Sequence, residues 1–289
     1  MIFKQIIFGL LGGLGLFLFG MKMMSEGLQS IAGKQLRKIL ELLTNNRLIA
    51  IIVGTVVTAI IQSSSATTVM VVGFCNAGLL TLVQAIGVIL GANIGTTITA
   101  QIIAFKITEI ALPTIGIGMI FFLFSKRNRF KFFGQTLLGF GMLFLGLTLM
   151  KDGAAPLKES ETVIELFSKL SLQSGSPVLG PLLGIITGAL FTVMFQSSSA
   201  TVGLTMALAS AGIIDIYVAV PLIFGENIGT TITALIASAG TNITAKRAAI
   251  AHTLFNVLGV LIMYLLFFIK VEGYPAFLCL IDKITPGDM

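Results

Sequence analysis

Gln62-Ser63-Ser64-Ser65-Ala66-Thr67 and, in the next apolar stretch, Asn93-Ile94-Gly95-Thr96-Thr97-Ile98-Thr99-Ala100 each occur twice in this chain, returning unchanged from Gln196 and from Asn227. Both second copies are displaced from the first by the same number of positions, so one polar device is present in duplicate. Each copy is embedded in strongly apolar sequence. An unpaired polar group in hydrocarbon is costly, so oxygen-rich strings that persist there point to a ligand. Their duplication suggests two half-sites that meet as one.

The surrounding composition sets the class. With 56% hydrophobic and 10% charged residues and a mean hydropathy of +1.03, the chain is an integral membrane protein and not a soluble domain. Charges gather in short clusters between apolar stretches of bilayer-spanning length, which predicts α-helices and not a barrel. Residues 2–24 lack a small-residue cleavage site and read as a retained helix. The net charge of +6 has a topological cause, so it does not argue for nucleic acid as a partner. Cys75 and Cys279 lie in apolar surroundings without metal-ligand spacing, and no disulfide is expected. The single histidine, His252, reads as a helix-packing residue satisfied by a neighbour.

The repeat is longer than its polar strings. At an offset of 126, Gly13, Gly15, Gly20, Met24 and Gly27 match Gly139, Gly141, Gly146, Met150 and Gly153, so the second copy has eight extra residues before its Gln-Ser string. The expected fold is all-α, a single membrane domain over 1–289 with inverted-topology repeats at 5–125 and 132–269 and a tail at 270–289. Residues 5–24, 108–125, 132–150 and 248–269 are predicted as full spans. Residues 48–61 with 68–80, and 181–195 with 202–214, are half-length apolar runs joined by the serines, which predicts re-entrant hairpins. Residues 82–105 and 216–240 are long enough to cross, and Gly91, Gly95, Gly225 and Gly229 with the asparagines predict an unwound stretch there. Each repeat thus has about three spans and a hairpin. Residues 28–46, with Leu36, Ile39, Leu42 and Leu43 at helical spacing, and 157–171 are expected as interfacial amphipathic helices.

Charge orients this arrangement. Lys34, Arg37, Lys38 and Arg47 follow the first helix, whereas its counterpart is followed by Glu159, Glu161 and Glu165 among Lys158 and Lys169. Three crossings per unit put eleven Lys/Arg inside, including Lys22, Lys126, Arg127, Arg129, Lys131, Lys246 and Arg247, and seven outside. The positive-inside rule is satisfied with both termini outside, and an odd number of crossings makes the repeats inverted.

The candidate site is oxygen-rich and poor in cations. No charged residue lies between Leu48 and Phe105, and only Asp215 and Glu226 lie between Leu170 and Ala245. Serines where half-helices begin hold an anion through N–H groups and the helix dipole. A multiply charged oxyanion would still need compensating charge, for which co-bound cations are the available source. Gln62, Asn93, Thr96 and Thr97, with Gln196, Asn227, Thr230 and Thr231, supply the oxygen ligands a hard cation such as Na⁺ prefers. Glu226 replaces Ala92 of the first copy and is a further candidate. Asp215 reads as a surface residue at the hairpin's edge.

The paired strings, each followed by Asn-Ile-Gly-Thr-Thr, together with Ala251-His252-Thr253-Leu254-Phe255-Asn256, resemble the hallmark of the type II sodium-dependent phosphate cotransporter family, in its bacterial form. The resemblance covers nearly the whole chain. It implies secondary active transport that couples Na⁺ to uptake of inorganic phosphate by alternating access. Ser63, Ser64, Ser65, Thr67, Ser197, Ser198, Ser199 and Thr201 would contact phosphate. Gln62, Gln196, Asn93 and Asn227, with Thr96, Thr97, Thr230, Thr231 and Glu226, would coordinate sodium and substrate. It further implies a multi-pass protein of the cell inner membrane with Na⁺ as coupling ion, no other cofactor, phosphate, Na⁺ and lipid as partners, and room for a homo-oligomer. Bacterial members often continue into a cytosolic PhoU-like domain; the sequence ends at Met289, so regulation through one is not expected. From the residues alone, Na⁺-coupled transport of a carboxylate or amino acid and a passive anion channel stay open. No enzyme is expected, because neither string contains a His or Lys base.

Overall fold

A computed structural model of the protein describes residues 2–41, 46–104, 108–170, 176, 178–271 and 274–284. The described residues are helical almost throughout, as apolar sequence in a bilayer must be to satisfy its own backbone. The helices are α1 (Ile2–Glu41), α2 (Arg47–Ile61), α3 (Ser64–Asn76), α4 (Leu82–Ala104), α5 (Ala111–Phe124), α6 (Asn128–Ala154) and α7 (Glu161–Ser168). They continue as α8 (Leu179–Phe195), α9 (Ser198–Ser210), α10 (Ile216–Thr230), α11 (Ile232–Ala237), α12 (Ile243–Leu266) and α13 (Ala276–Ile284). A two-residue antiparallel ladder, Lys270–Val271 with Tyr274–Pro275, precedes α13. Five segments, Lys4–Ala32, Leu82–Ala104, Asn128–Glu159, Ile216–Ala237 and Ile243–Leu266, are long and apolar enough to cross a membrane. The molecule is a multi-pass α-helical membrane protein.

Three expectations need correction. Residues 108–125 hold only a 14-residue helix, α5, after a short 3-10 turn at Thr108–Ile110, and at 1.5 Å per residue it is about 21 Å long, short of a full span. The segment from residue 28 is not a separate interfacial helix: α1 runs unbroken from Ile2 to Glu41. Nothing between Met24 and Glu41 breaks it, since an isolated glycine costs only about 1 kcal/mol in a helix. In the second copy Pro156 leads a 3-10 turn and α7 follows as a separate short helix. The apolar spacing at Leu36, Ile39, Leu42 and Leu43 lies outside the described side chains. Finally, α4 is not unwound at Gly91 or Gly95, and in the second copy the only break is Thr231, itself in helical conformation.

Those glycines serve packing instead. A Cβ on Gly91 would collide with the Ile51 carbonyl oxygen, and one on Gly95 would sit 2.7 Å from that of Thr55, so α4 lies backbone to backbone on α2. The second copy repeats the contact: Gly225 meets the Ile185 carbonyl, and a Cβ on Gly229 would be 2.5 Å from the Ala189 oxygen. Lipid tails are as apolar as leucine, so close van der Waals approach, and not hydrophobic burial, holds such helices together.

The same device joins the copies. Helices α1 and α6 run antiparallel, with Gly9 against Gly153, Gly13 against Gly146 and Gly20 against Gly139. A Cβ on Gly13 would lie 2.8 Å from the Gly146 oxygen, and one on Gly20 would lie 2.7 Å from the Gly139 oxygen. Phe17, Met24, Leu143, Phe144 and Met150 fill the seam around them. The short helices are shared across the copies: α3 packs on α11 and α12 as well as α4, and α9 packs on α4, α6 and α1 as well as α10. Asn242 pins one of these contacts. It caps α12, receives Ala245 N–H at 3.0 Å, and donates from its amide to the Cys75 and Asn76 carbonyls at 3.1 Å, at the end of α3.

Gly146→Leu is expected to lower the thermal unfolding midpoint in detergent, by an overpacking cost of about 1–3 kcal/mol. Gly15→Leu, which points into open space, leaves it unchanged.

Candidate functional site

Each duplicated Gln-Ser string is a sharp reversal between two helices. Gln62 and Gln196 end α2 and α8 in the left-handed conformation, with φ of 58° and 51°. They are the only non-glycine residues with positive φ among those described. A side chain in this conformation costs roughly 1–2 kcal/mol, which glycine would avoid, so the glutamine side chain is being kept for a purpose. The next residue then caps the following helix: Ser63 Oγ accepts from Ala66 N–H at 3.2 Å and Ser197 Oγ from Ala200 N–H at 3.3 Å. The first-turn N–H groups of α3 and α9, at Ser64, Ser65, Ser198 and Ser199, lie outside the helical ladder and face the reversal. The far ends of α3 and α9 close alike, through Gly78 at φ 72° and Gly212 at φ 71°.

A threonine pair braces each reversal from beneath. Thr58 and Thr67 hydroxyls are 3.0 Å apart, and so are those of Thr192 and Thr201. Thr67 donates to the Ser63 carbonyl and Thr201 to that of Ser198, each at 3.0 Å. Thr67 and Thr201 were expected to contact phosphate; the structure buries both as braces within the turn. Thr58 and Thr192 were not foreseen, although they too occupy matching positions of the two copies.

The companion strings behave differently. Asn93, Thr97 and Asn227 come together from both copies around an open cavity of about 250 Å³, lined also by Phe224, Phe255 and Asn256 among others. None of the serines lines it. Thr96 bonds to the Ala92 carbonyl, Thr230 to that of Glu226 and Thr231 to that of Ile228. Asn256, on α12, was missed as a site residue because it lies outside both duplicated strings, so pairing the copies does not find it.

Equivalent residues differ in exposure. Gln62 is 4% exposed and Ser64 6%, whereas Gln196 is exposed and Ser198 half-buried. In the companion strings the asparagines differ in the same sense, Asn93 half-buried and Asn227 exposed, and only the threonines are reversed, with Thr97 exposed and Thr230 and Thr231 buried. The buried Gln62 amide donates to the Ala59 carbonyl, while its Oε1 has no partner. A second asymmetry is chemical. Thr205 donates to Glu226 Oε1 at 2.8 Å and Glu226 Oε2 is buried without a partner, where the first copy has Val71 and Ala92. Asp215 is the exposed N-cap of α10, accepting from Val218 N–H at 2.9 Å. His252 is buried, but its Nδ1 lacks the neighbour expected for it. Both cysteines are free.

A family model described as Na+/Pi-cotransporter matches residues 16–152 and 174–279. "Uncharacterized protein YqeW" of Bacillus subtilis is 36% identical over 244 residues, 84% of this chain and 77% of that protein. "Putative inorganic phosphate export protein YjbB" of Escherichia coli K12 is 34% identical over 88% of this chain, which spans 46% of its length. "Sodium-dependent phosphate transport protein 2B" of Homo sapiens is 38% identical over 133 residues, 44% of this chain and 19% of that protein. No solved structure gives a significant match. With both duplicated strings inside the matched residues, the chain belongs to the Na+/Pi-cotransporter family.

Proposed function

We propose that the protein is a secondary transporter in which an inward Na⁺ gradient drives uptake of inorganic phosphate across the cell inner membrane by alternating access. The observation that carries this reading is the pair of matching reversals, each with a left-handed glutamine and a serine-capped helix start. In it, α2–α3 and α8–α9 are re-entrant hairpins whose serines, Ser63–Ser65 and Ser197–Ser199, hold phosphate with their hydroxyls and first-turn N–H groups. The membrane repeats, 5–125 and 132–269 within one domain, are inverted. Support comes from the α1–α6 seam: Gly139 is the repeat counterpart of Gly13 and Gly146 that of Gly20, so Gly13 on Gly146 and Gly20 on Gly139 form a reciprocal contact. Reciprocity between antiparallel elements is what two-fold pseudo-symmetry produces.

The unequal exposure of the two Gln-Ser reversals, Gln62 and Ser64 buried against Gln196 exposed and Ser198 half-buried, supports alternating access, because a two-state carrier caught in one state exposes one half-site and covers the other. Gln62 and Gln196, with Asn93, Asn227 and neighbouring threonines, take Na⁺ in this reading, and Glu226 contributes fixed negative charge beside the second string. Phosphate and Na⁺ then neutralise one another where no Lys or Arg is at hand. The phosphate export named for the Escherichia coli relative favours a second direction, which differs from uptake in the gradient that drives it.

Purified protein in liposomes is expected to accumulate ³²P-phosphate when a Na⁺ gradient is imposed, with arsenate competing. Equal uptake with K⁺ or choline in place of Na⁺ removes the coupling, and efflux without response to Na⁺ favours export. Ser64→Ala and Ser198→Ala are each expected to raise the phosphate KM about tenfold or more, the loss of a hydrogen bond to a charged ligand. Wild-type kinetics in both return the serines to a packing role. Glu226→Gln, which keeps the acceptor for Thr205, is expected to raise half-saturating Na⁺ about tenfold at unchanged thermal stability; an unchanged Na⁺ response makes Glu226 a structural residue.

A further inference from the structure

A second open cleft, of about 410 Å³, lies between α1, α5 and α6 and is lined by Ile31, Phe121, Arg129, Phe130 and Phe133. We propose that it binds an anionic phospholipid, with the lipid phosphate on Arg129 and an acyl chain against the phenylalanines. The site is separate from the duplicated strings and does not depend on what the protein transports.

The sequence concentrates positive charge here. Lys126, Arg127, Arg129 and Lys131 fall within six residues, and no Asp or Glu occurs from residue 110 to residue 151. All four side chains are exposed, and among the described residues none forms an ion pair with a carboxylate. On α1, Glu26 is already engaged by Lys22 at 3.9 Å and by the Gln135 amide at 3.3 Å. Lys131 lies over the Phe122 ring, 5.4 Å from its centroid, so Arg129 is the cation that lines the cleft. A planar guanidinium matches two oxygens of a phosphodiester at once. The neighbouring cations then favour a lipid of net negative charge over a zwitterion.

The rest of the lining is apolar and already ordered. Phe121 stacks on Phe130 at 6.3 Å between ring centroids and meets Phe133 edge-on at 5.9 Å. Phe130 is 48% exposed and Phe133 45%, so both rings keep a free face. Ile117 and Phe124, one turn to either side of Phe121 on α5, are more than half exposed and extend the apolar track along the helix. An inorganic anion on Arg129 would leave that track uncovered, whereas a lipid covers it with its own chain. The orientation expected from charge puts residues 126–131 at the cytoplasmic leaflet, where anionic headgroups are found.

The test is native mass spectrometry of the purified protein, offered equimolar phosphatidylglycerol and phosphatidylcholine with identical acyl chains. Wild-type protein is expected to retain one phosphatidylglycerol in preference to phosphatidylcholine. Arg129→Gln is expected to lower that preference about fivefold, and Ile31→Trp, which fills the cleft, to lower phosphatidylglycerol retention as well. Lys246→Gln removes the same charge from an exposed position elsewhere and is expected to behave as wild type. Equal retention of the two lipids by the wild type overturns the site, as does an unchanged preference in Arg129→Gln or an equal loss in Lys246→Gln. Displacement of the lipid by glycerol 3-phosphate makes the occupant a free phosphate group and overturns the lipid assignment. A lipid-free dimer that dissociates in Ile31→Trp gives the cleft to a second copy of the chain and overturns it too.

Discussion

Backbone laid directly on backbone is the constraint on which this structure depends. At Gly91 and Gly225, Gly54 and Gly188, and along the α1–α6 seam, the space for a Cβ is occupied by another helix's main chain. In a bilayer there is no hydrophobic gain from bringing helices together, so the closeness that glycine permits supplies the attraction. It also fixes the height at which each reversal sits. Helix α2 cannot slide along α4 without driving a carbonyl into Gly54, Gly91 or Gly95, and the Gln62 turn is therefore held at one level relative to Asn93. The second copy holds Gln196 and Asn227 by the same means.

The two polar devices then divide the labour. The reversals offer N–H groups and hydroxyls, the chemistry of an anion cradle, while the asparagine cavity offers amide and hydroxyl oxygens, the Asn93 and Asn256 amide nitrogens and the Thr97 hydroxyl each donating a hydrogen to its own helix. Sequence alone puts both sets in one list of polar residues, because composition does not say which lone pair faces outward. A hydrogen-bond partner four residues back decides it for Asn93 and Asn256.

Much of the architecture was legible before any coordinates. The duplicate strings located both reversals, α2 and α8 ended where expected at Ile61 and Phe195 while α3 and α9 run four residues earlier than the apolar runs 68–80 and 202–214, and apolar length identified most of the spans. What the sequence misled on was glycine. Gly91 and Gly95 beside Asn93 read as a break in a helix, but a glycine whose missing Cβ is filled by a neighbour stabilises a helix pair more than it weakens one helix. That neighbour, the chain at Ile51 and Thr55, belongs to a different helix and no local window contains both. Thr67 and Thr201 also bond backward, to the Ser63 and Ser198 carbonyls, as a threonine one turn into a helix does as readily as it faces a ligand. Asn256 was invisible to repeat matching because it lies outside both duplicated strings, and such positions stand out only when the neighbours are known.

The single-residue break at Thr231 acquires a mechanical meaning from where it falls. Before it, Val218 and Leu222 of α10 pack with Ile214 and, from outside, Phe167. After it, Ala234 of α11 joins a different core made by α2, α3, α4 and α12, through Val71, Val88, Ala245 and Ala248. The chain thus crosses from one solid block to another within a few residues, and the crossing lies inside the Asn227–Ala234 string. The string that brings Asn227 to the cavity with Asn93 and Asn256 is thus also the seam at which the chain changes cores.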